Sequence, residues 1–102
     1  MKFIIDRESM VGYDSVIVDI YNSKNWISRH FISSTNSIED FIESYLIECK
    51  LEMLSAFGVS EWWIVDRNSM LIKQFFVYSE ANDYLKNLKN SKESVVIEQK
   101  GS

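Results

Sequence analysis

Two short polar turns constrain the fold of this chain more than any other feature. Ser23-Lys24-Asn25 and Asp66-Arg67-Asn68-Ser69 contain no apolar residue, and each separates two runs that read as strands. Before the first turn, residues 15–22 place Val16, Val18 and Ile20 on one face and Asp19 and Tyr21 on the other. After it, residues 26–33 place Ile27 and Phe31 opposite Trp26, Ser28 and His30. The second turn lies between the apolar run 62–65 and a longer strand over 70–78. Consecutive hairpins imply a mostly antiparallel sheet.

The remaining elements follow from period and caps. Residues 2–6 form a short strand, followed by a polar segment through Gly12 and Asp14. Ser79 caps a short helix whose Ala81, Tyr84, Leu85 and Leu88 recur at helical spacing, with Lys86 and Lys89 in its last turns. Residues 94–98, with Val95, Val96 and Ile97, form a final edge strand ahead of a frayed tail at 100–102. The expected order is β-β-β-α-β-β-α-β. This is an α+β domain spanning residues 1–102, with about five to six strands, one long helix and one short one.

The long helix is expected over residues 37–57. The run 33–37 supplies its cap, with Asn36–Glu39 and Ser37–Asp40 as alternative capping boxes, and Gly58 is placed as its C-terminal cap. At 100° per residue, Ile38, Ile42, Tyr45, Leu46, Cys49, Met53 and Ala56 cluster within about 80° as a core stripe. Ile47, Leu51 and Leu54 form a second apolar stripe on the opposite side. The segment also carries Glu39, Asp40, Glu43, Glu48 and Glu52 against one lysine, Lys50. Its balance of −4 equals that of all 102 residues. Glu39/Glu43 and Glu48/Glu52 are like-charge pairs at i, i+4, which oppose helix formation unless an outside cation answers them.

Candidate chemistry is sparse. With three glycines there is no Gly-rich phosphate loop, and the chain contains no proline. Cys49 is the single cysteine, so no intrachain disulfide forms, a reducing, cytoplasmic setting is expected, and its place on the core stripe marks an inert thiol. His30 is the single histidine; catalysis there would need a nucleophile or carboxylate brought to it by the fold, and a structural or merely exposed histidine is expected. Asp6, Asp14, Asp19 and Asp66 sit at strand ends and turns, where Asp is ordinary, and no metal-ligand spacing occurs. The N-terminus reaches a charge after three apolar residues, so neither a signal peptide nor a membrane span is expected. Lys86, Lys89 and Lys92 are the one local basic excess, too small a footprint for nucleic acid.

These readings point to a binding protein without catalytic residues, cofactor or metal. Its expected contact surface is Glu39, Asp40, Glu43, Glu48 and Glu52 with Ile47, Leu51 and Leu54, which also offer a two-fold dimer contact. Trp62 and Trp63 join it, because adjacent strand residues point to opposite faces and one of them has to lie near the surface. The acidic sign repels phosphate and attracts proteins that hold phosphate. The expected partner is therefore a basic protein, as for an immunity protein or antitoxin that neutralises a nuclease-like toxin. The alternative is a phage-encoded or host regulatory or anti-defence factor that binds a nucleic-acid-handling protein.

Overall fold

The computed structural model describes residues 1–7, 15–33, 35–90 and 95–100. Expectations resting on Gly12, Asp14, Ser34, Lys92, Ser94 and the Gly101-Ser102 end lie outside the described residues. Among the described residues the fold is α+β: two helices and seven strands in two mostly antiparallel sheets, where one sheet of five to six strands was expected. By contact density the chain divides into two compact units, Met1–Ile42 with Glu93–Ser102, and Glu43–Lys92. No helix among the described residues is long and apolar enough to cross a membrane.

The first unit is built on β1 (Lys2–Asp6), β2 (Ser15–Asn22), β3 (Asn25–Ser33) and β7 (Val96–Gln99), ordered β3-β2-β1-β7. The two hairpin pairings are antiparallel and β1–β7 is parallel. Ser23, at φ 56°, opens the two-residue loop between β2 and β3. Register places Phe3, Ile5, Val16, Val18, Ile20 and Ile32 on one face, and all six are buried. Side chains of this size contribute roughly 1.5–3 kcal/mol each when fully buried, so this face is the unit's main source of stability. Lys100, expected in a frayed tail, donates its N–H to the Ile5 carbonyl at 2.8 Å.

One correction concerns β3. A register shift at Ile20/Tyr21 makes Trp26 face Tyr21, while Arg29 faces Asp19 and Phe31 faces Ile17. Trp26 therefore shares a sheet face with Arg29 and Phe31, not with Ser28 and His30. The bulge at Ile27 breaks the simple alternation from which the faces were read.

The second correction is larger. Helix α1 runs Ile38–Glu48, not 37–57, and Lys50–Ala56 is strand β4. Ser37 caps α1, its Oγ accepting the Asp40 N–H at 3.3 Å, so Ser37 and not Asn36 is the cap. The helix closes with the Cys49 N–H donating to the Leu46 carbonyl. Gly58 is not a helix cap. With Phe57 it forms the two-residue turn from β4 to β5 (Val59–Val65), and both residues have positive φ, 54° and 77°.

In the second unit β4, β5 and β6 (Leu71–Phe75) form an antiparallel sheet ordered β4-β5-β6. Helix α2 (Tyr78–Asn90) packs on one face of it, where Tyr78 meets Trp62 at 4.8 Å and Tyr84 meets Phe75 at 5.4 Å between ring centroids. The expected cap Ser79 lies inside its first turn, because Ala81 N–H already bonds the Val77 carbonyl. Tyr45, Leu46, Cys49, Ile64, Val65, Ile72, Ala81 and Leu88 are its buried apolar residues.

Candidate functional site

Helix α1 buries Ile38, Ile42, Tyr45 and Leu46 and exposes Glu39, Asp40, Glu43, Ser44, Ile47 and Glu48. Asp40, Glu43 and Ile47 stand at i, i+3, i+7 and therefore form one row along the helix, with Glu39 beside it. Ile47 is 60% exposed. Acids lead and an aliphatic side chain follows. Glu39 sits in the first turn, where its own backbone N–H and the Ser37 hydroxyl, a 3.0 Å donor, hold its carboxyl below the usual carboxylate range.

The rest of the expected surface disperses. Glu48 is not one helical turn below Glu52, because the chain has already become a strand at Lys50. Glu48 pairs with Arg67 at 3.0 Å and Glu52 with Lys50 at 3.5 Å, so cations of the chain itself answer both acids. Leu51 and Leu54 are three positions apart on one strand and point to opposite faces. Leu51 pairs with Ile64 on the face that α2 covers, and Leu54 pairs with Glu61 on the other. Ile47, Leu51 and Leu54 therefore make no common stripe. Met53 and Ala56, expected in the core stripe, are exposed.

Trp62 and Trp63 do take opposite faces, and both are half-buried. Trp62 lies against Tyr78, while Trp63 faces Glu52 across the strands and donates its indole N–H to Glu61 at 3.2 Å. Phe75 packs against Tyr84 and Phe76 is exposed.

The sequence reading missed three exposed aromatics. Trp26 and Phe31 flank Arg29 on β3, and Phe57 stands fully exposed at the tip of the β4–β5 hairpin. The signal for Phe57 was present: Phe57-Gly58 separates two seven-residue strands, but the glycine was read as a helix end.

The remaining polar groups have structural work. Asp19 accepts two bonds from the Arg29 guanidinium at 2.8 and 3.0 Å and one from the Trp26 indole at 3.3 Å. The Arg29 bonds hold its carboxyl below the usual range against an opposing effect of burial. Asp6 pairs with Lys100 at 3.7 Å. His30 lies 2.9 Å from the Ser28 hydroxyl and stacks at a tilt on Phe41. Cys49 is buried, donates to the Tyr45 carbonyl at 3.3 Å, and has its thiol pushed up to about 12, chiefly by burial. A thiol so protonated is a poor nucleophile. Among the described residues no group of three or more His, Cys, Asp or Glu is placed to hold a metal ion. No protein-family model, no curated protein and no solved structure matches this chain.

Proposed function

We propose that this protein is a small, acidic, non-catalytic binding module that neutralises a basic protein partner, in the manner of an immunity protein or antitoxin acting on a nuclease-like toxin. The observation that carries the reading is the exposed row Asp40, Glu43 and Ile47 on α1, with Glu39 beside it. A charged rim beside an exposed aliphatic residue suits a protein contact. The acids steer a cationic partner into place, and the apolar group supplies surface that gains from losing water. The proposed surface is narrower than the run 37–57, because the helix ends at Glu48 and Glu52 lies on strand β4.

The non-catalytic part of the reading draws support from the state of the two most reactive side-chain types. Cys49 is buried and protonated, and His30 is engaged by Ser28 and Phe41.

The test is affinity capture with the native chain and with a Glu39→Lys, Asp40→Lys, Glu43→Lys variant, at low and high salt. The expected result is a basic protein retained at low salt by the native chain, weakened by salt, and lost from the variant. Capture of nothing basic, or equal retention by the variant, overturns the reading.

A further inference from the structure

Strand β4 is the one sheet edge in the described structure with little to stop it pairing with another strand. The two sheets expose four edges, β3, β7, β4 and β6. Three of them are blunted by the usual devices. β7 has four residues, β6 has five and faces a register shift at Ile64/Val65, and β3 is broken by a register shift at Ile20/Tyr21. β4 has seven residues, pairs with β5 in unbroken register and has no ladder on its other side. Lys50 and Glu52 are its only charges and already pair with each other, so the stretch from Met53 to Ala56 is uncharged. Met53 is 57% exposed and Leu54 41%.

We infer that β4 is a self-association edge, which pairs antiparallel with β4 of a second copy about a two-fold axis at Met53 and joins the two three-stranded sheets into one of six strands. A free ladder edge is complementary to another strand, and an isologous pairing uses the same residues twice. The sequence of β4 selects the register. Opposed residues share a sheet face, so registers change in steps of two. The register centred on Met53 matches all seven residues, with Lys50 opposite Ala56, Leu51 opposite Ser55 and Glu52 opposite Leu54. Every charge then faces an uncharged residue. The neighbouring register on one side sets Glu52 against Glu52, and the one on the other draws the turn residue Phe57 into the ladder. β4 is locally neutral, so the chain's net −4 does not act at this seam.

The same register accounts for a second oddity. It carries Phe57 of one copy beyond the end of the other copy's β4 to the level of Cys49, next to the C-terminal turn of α1, where Ile47 is exposed. A fully exposed phenylalanine at positive φ is unfavourable in an isolated hairpin, and an apolar neighbour there offsets its exposure. The pairing of β4 does not draw on Asp40 or Glu43, and Ile47 is the one residue it shares with the row on α1.

Sedimentation equilibrium on the full chain tests it. The native protein is expected to be a dimer that dissociates on dilution. Met53→Lys sets like charges directly opposite each other and is expected to weaken association by about ten-fold or more. Leu54→Lys, which meets Glu52 in this register, is expected to weaken it less. Met53→Cys fixes the register, because opposed residues approach closely enough for a disulfide, whereas Leu54→Cys stands opposite Glu52. Under oxidant Met53→Cys is expected to give a cross-linked dimer through residue 53, and Leu54→Cys is not. If the lysine variants fail to fold, amide exchange of native β4 serves instead, with protection expected to rise with protein concentration. A monomer at every concentration, a dimer indifferent to Met53→Lys, or concentration-independent exchange in β4 overturns the inference.

Discussion

The Tyr45 hydroxyl donates a 2.6 Å hydrogen bond to Oδ2 of Asp66, and both residues are fully buried. The other carboxylate oxygen of Asp66 accepts the backbone N–H groups of Asn68 and Met70 at 2.8 and 3.0 Å. One aspartate thus shapes the β5–β6 turn and ties it to α1. The left-handed Ser69, at φ 61°, completes the turn and donates its N–H to the Asp66 carbonyl.

Tyr45→Phe keeps the ring and removes one donor to a buried carboxylate. It is expected to cost about 1–3 kcal/mol, read as a lower denaturation midpoint with an unchanged slope. Asp66→Ala is expected to cost more, because it also strips two backbone N–H groups of their acceptor. A neutral Tyr45→Phe would mean that the hydroxyl bond adds nothing to stability.

The Asp66 turn was legible because four polar residues in a row leave little else to build. The same holds for the β2–β3 turn, and the strands it joins came out nearly to the residue. The segment 49–57 was not legible for a physical reason. Cys49, Met53 and Ala56 fit a helical stripe, while Leu51, Met53 and Ser55 fit a strand face equally well. Glu, Leu, Met and Ala favour helix intrinsically, and pairing with the β-rich 59–65 overrides that preference. The hairpin signal was muted because the first turn position holds Phe57 where Asn or Asp is usual. From this one misreading followed the dispersal of Ile47, Leu51 and Leu54. The acids at the start of α1 kept their place because the Ser37 cap fixes that end.

Asp19→Asn is expected to show a pH-dependent cost. The Arg29 bonds lower the folded-state pKa of Asp19, so as pH falls the unfolded chain takes up the proton first. The stabilisation is therefore complete at neutral pH and fades as pH drops below about 4 toward the folded value. The variant should lose on the order of 1 kcal/mol at pH 7, a modest figure because Arg29 is half exposed. The gap should close in acid. Urea melts of both proteins from pH 7 down to pH 3 measure it, and a constant gap would show that Asp19 does not titrate in this way.

Cys49 has the opposite sign. Its thiol is raised to about 12, so in alkali the unfolded chain ionises first and stability falls as pH climbs above about 8.5. Tyr84, raised chiefly by burial, adds a fall of the same sign above about 10. Cys49→Ala is expected to flatten the first part of that decline. A thiol reagent at pH 8 should label native Cys49 slowly and the denatured chain fast. Fast native labelling would place the thiol at the surface.

Glu39→Lys with Glu43→Lys tests how the acidic row works once a basic partner is in hand. Rim charges act on encounter, so the association rate should drop several-fold at low salt and the deficit should shrink as salt rises, with dissociation little changed. Ile47→Ala should do the reverse and speed dissociation. Stopped-flow kinetics at several ionic strengths separates the two, and a salt-independent defect in Glu39→Lys, Glu43→Lys would point to damage to the helix instead.

Phe57 and Gly58 form a turn that demands positive φ at both positions, and only Gly58 is suited to it. An added Cβ at Gly58 would meet nothing within 4 Å, so Gly58→Ala is limited by backbone conformation alone and should cost about 1 kcal/mol. Phe57→Asn should gain up to about 1 kcal/mol, because asparagine accepts the left-handed region and the exposed ring contributes no core packing. Both substitutions belong in a Met53→Lys background at low protein concentration, so that unfolding is read from a chain whose pairing through β4 is weakened. In the native background the two effects of Phe57→Asn should part company. The hairpin gains stability while self-association weakens, because the ring no longer reaches the other copy. Thermal melts and sedimentation on the same samples report the two separately. A Phe57→Asn chain that melts lower in the Met53→Lys background would mean that the ring packs within its own chain, and it could then not serve the second copy.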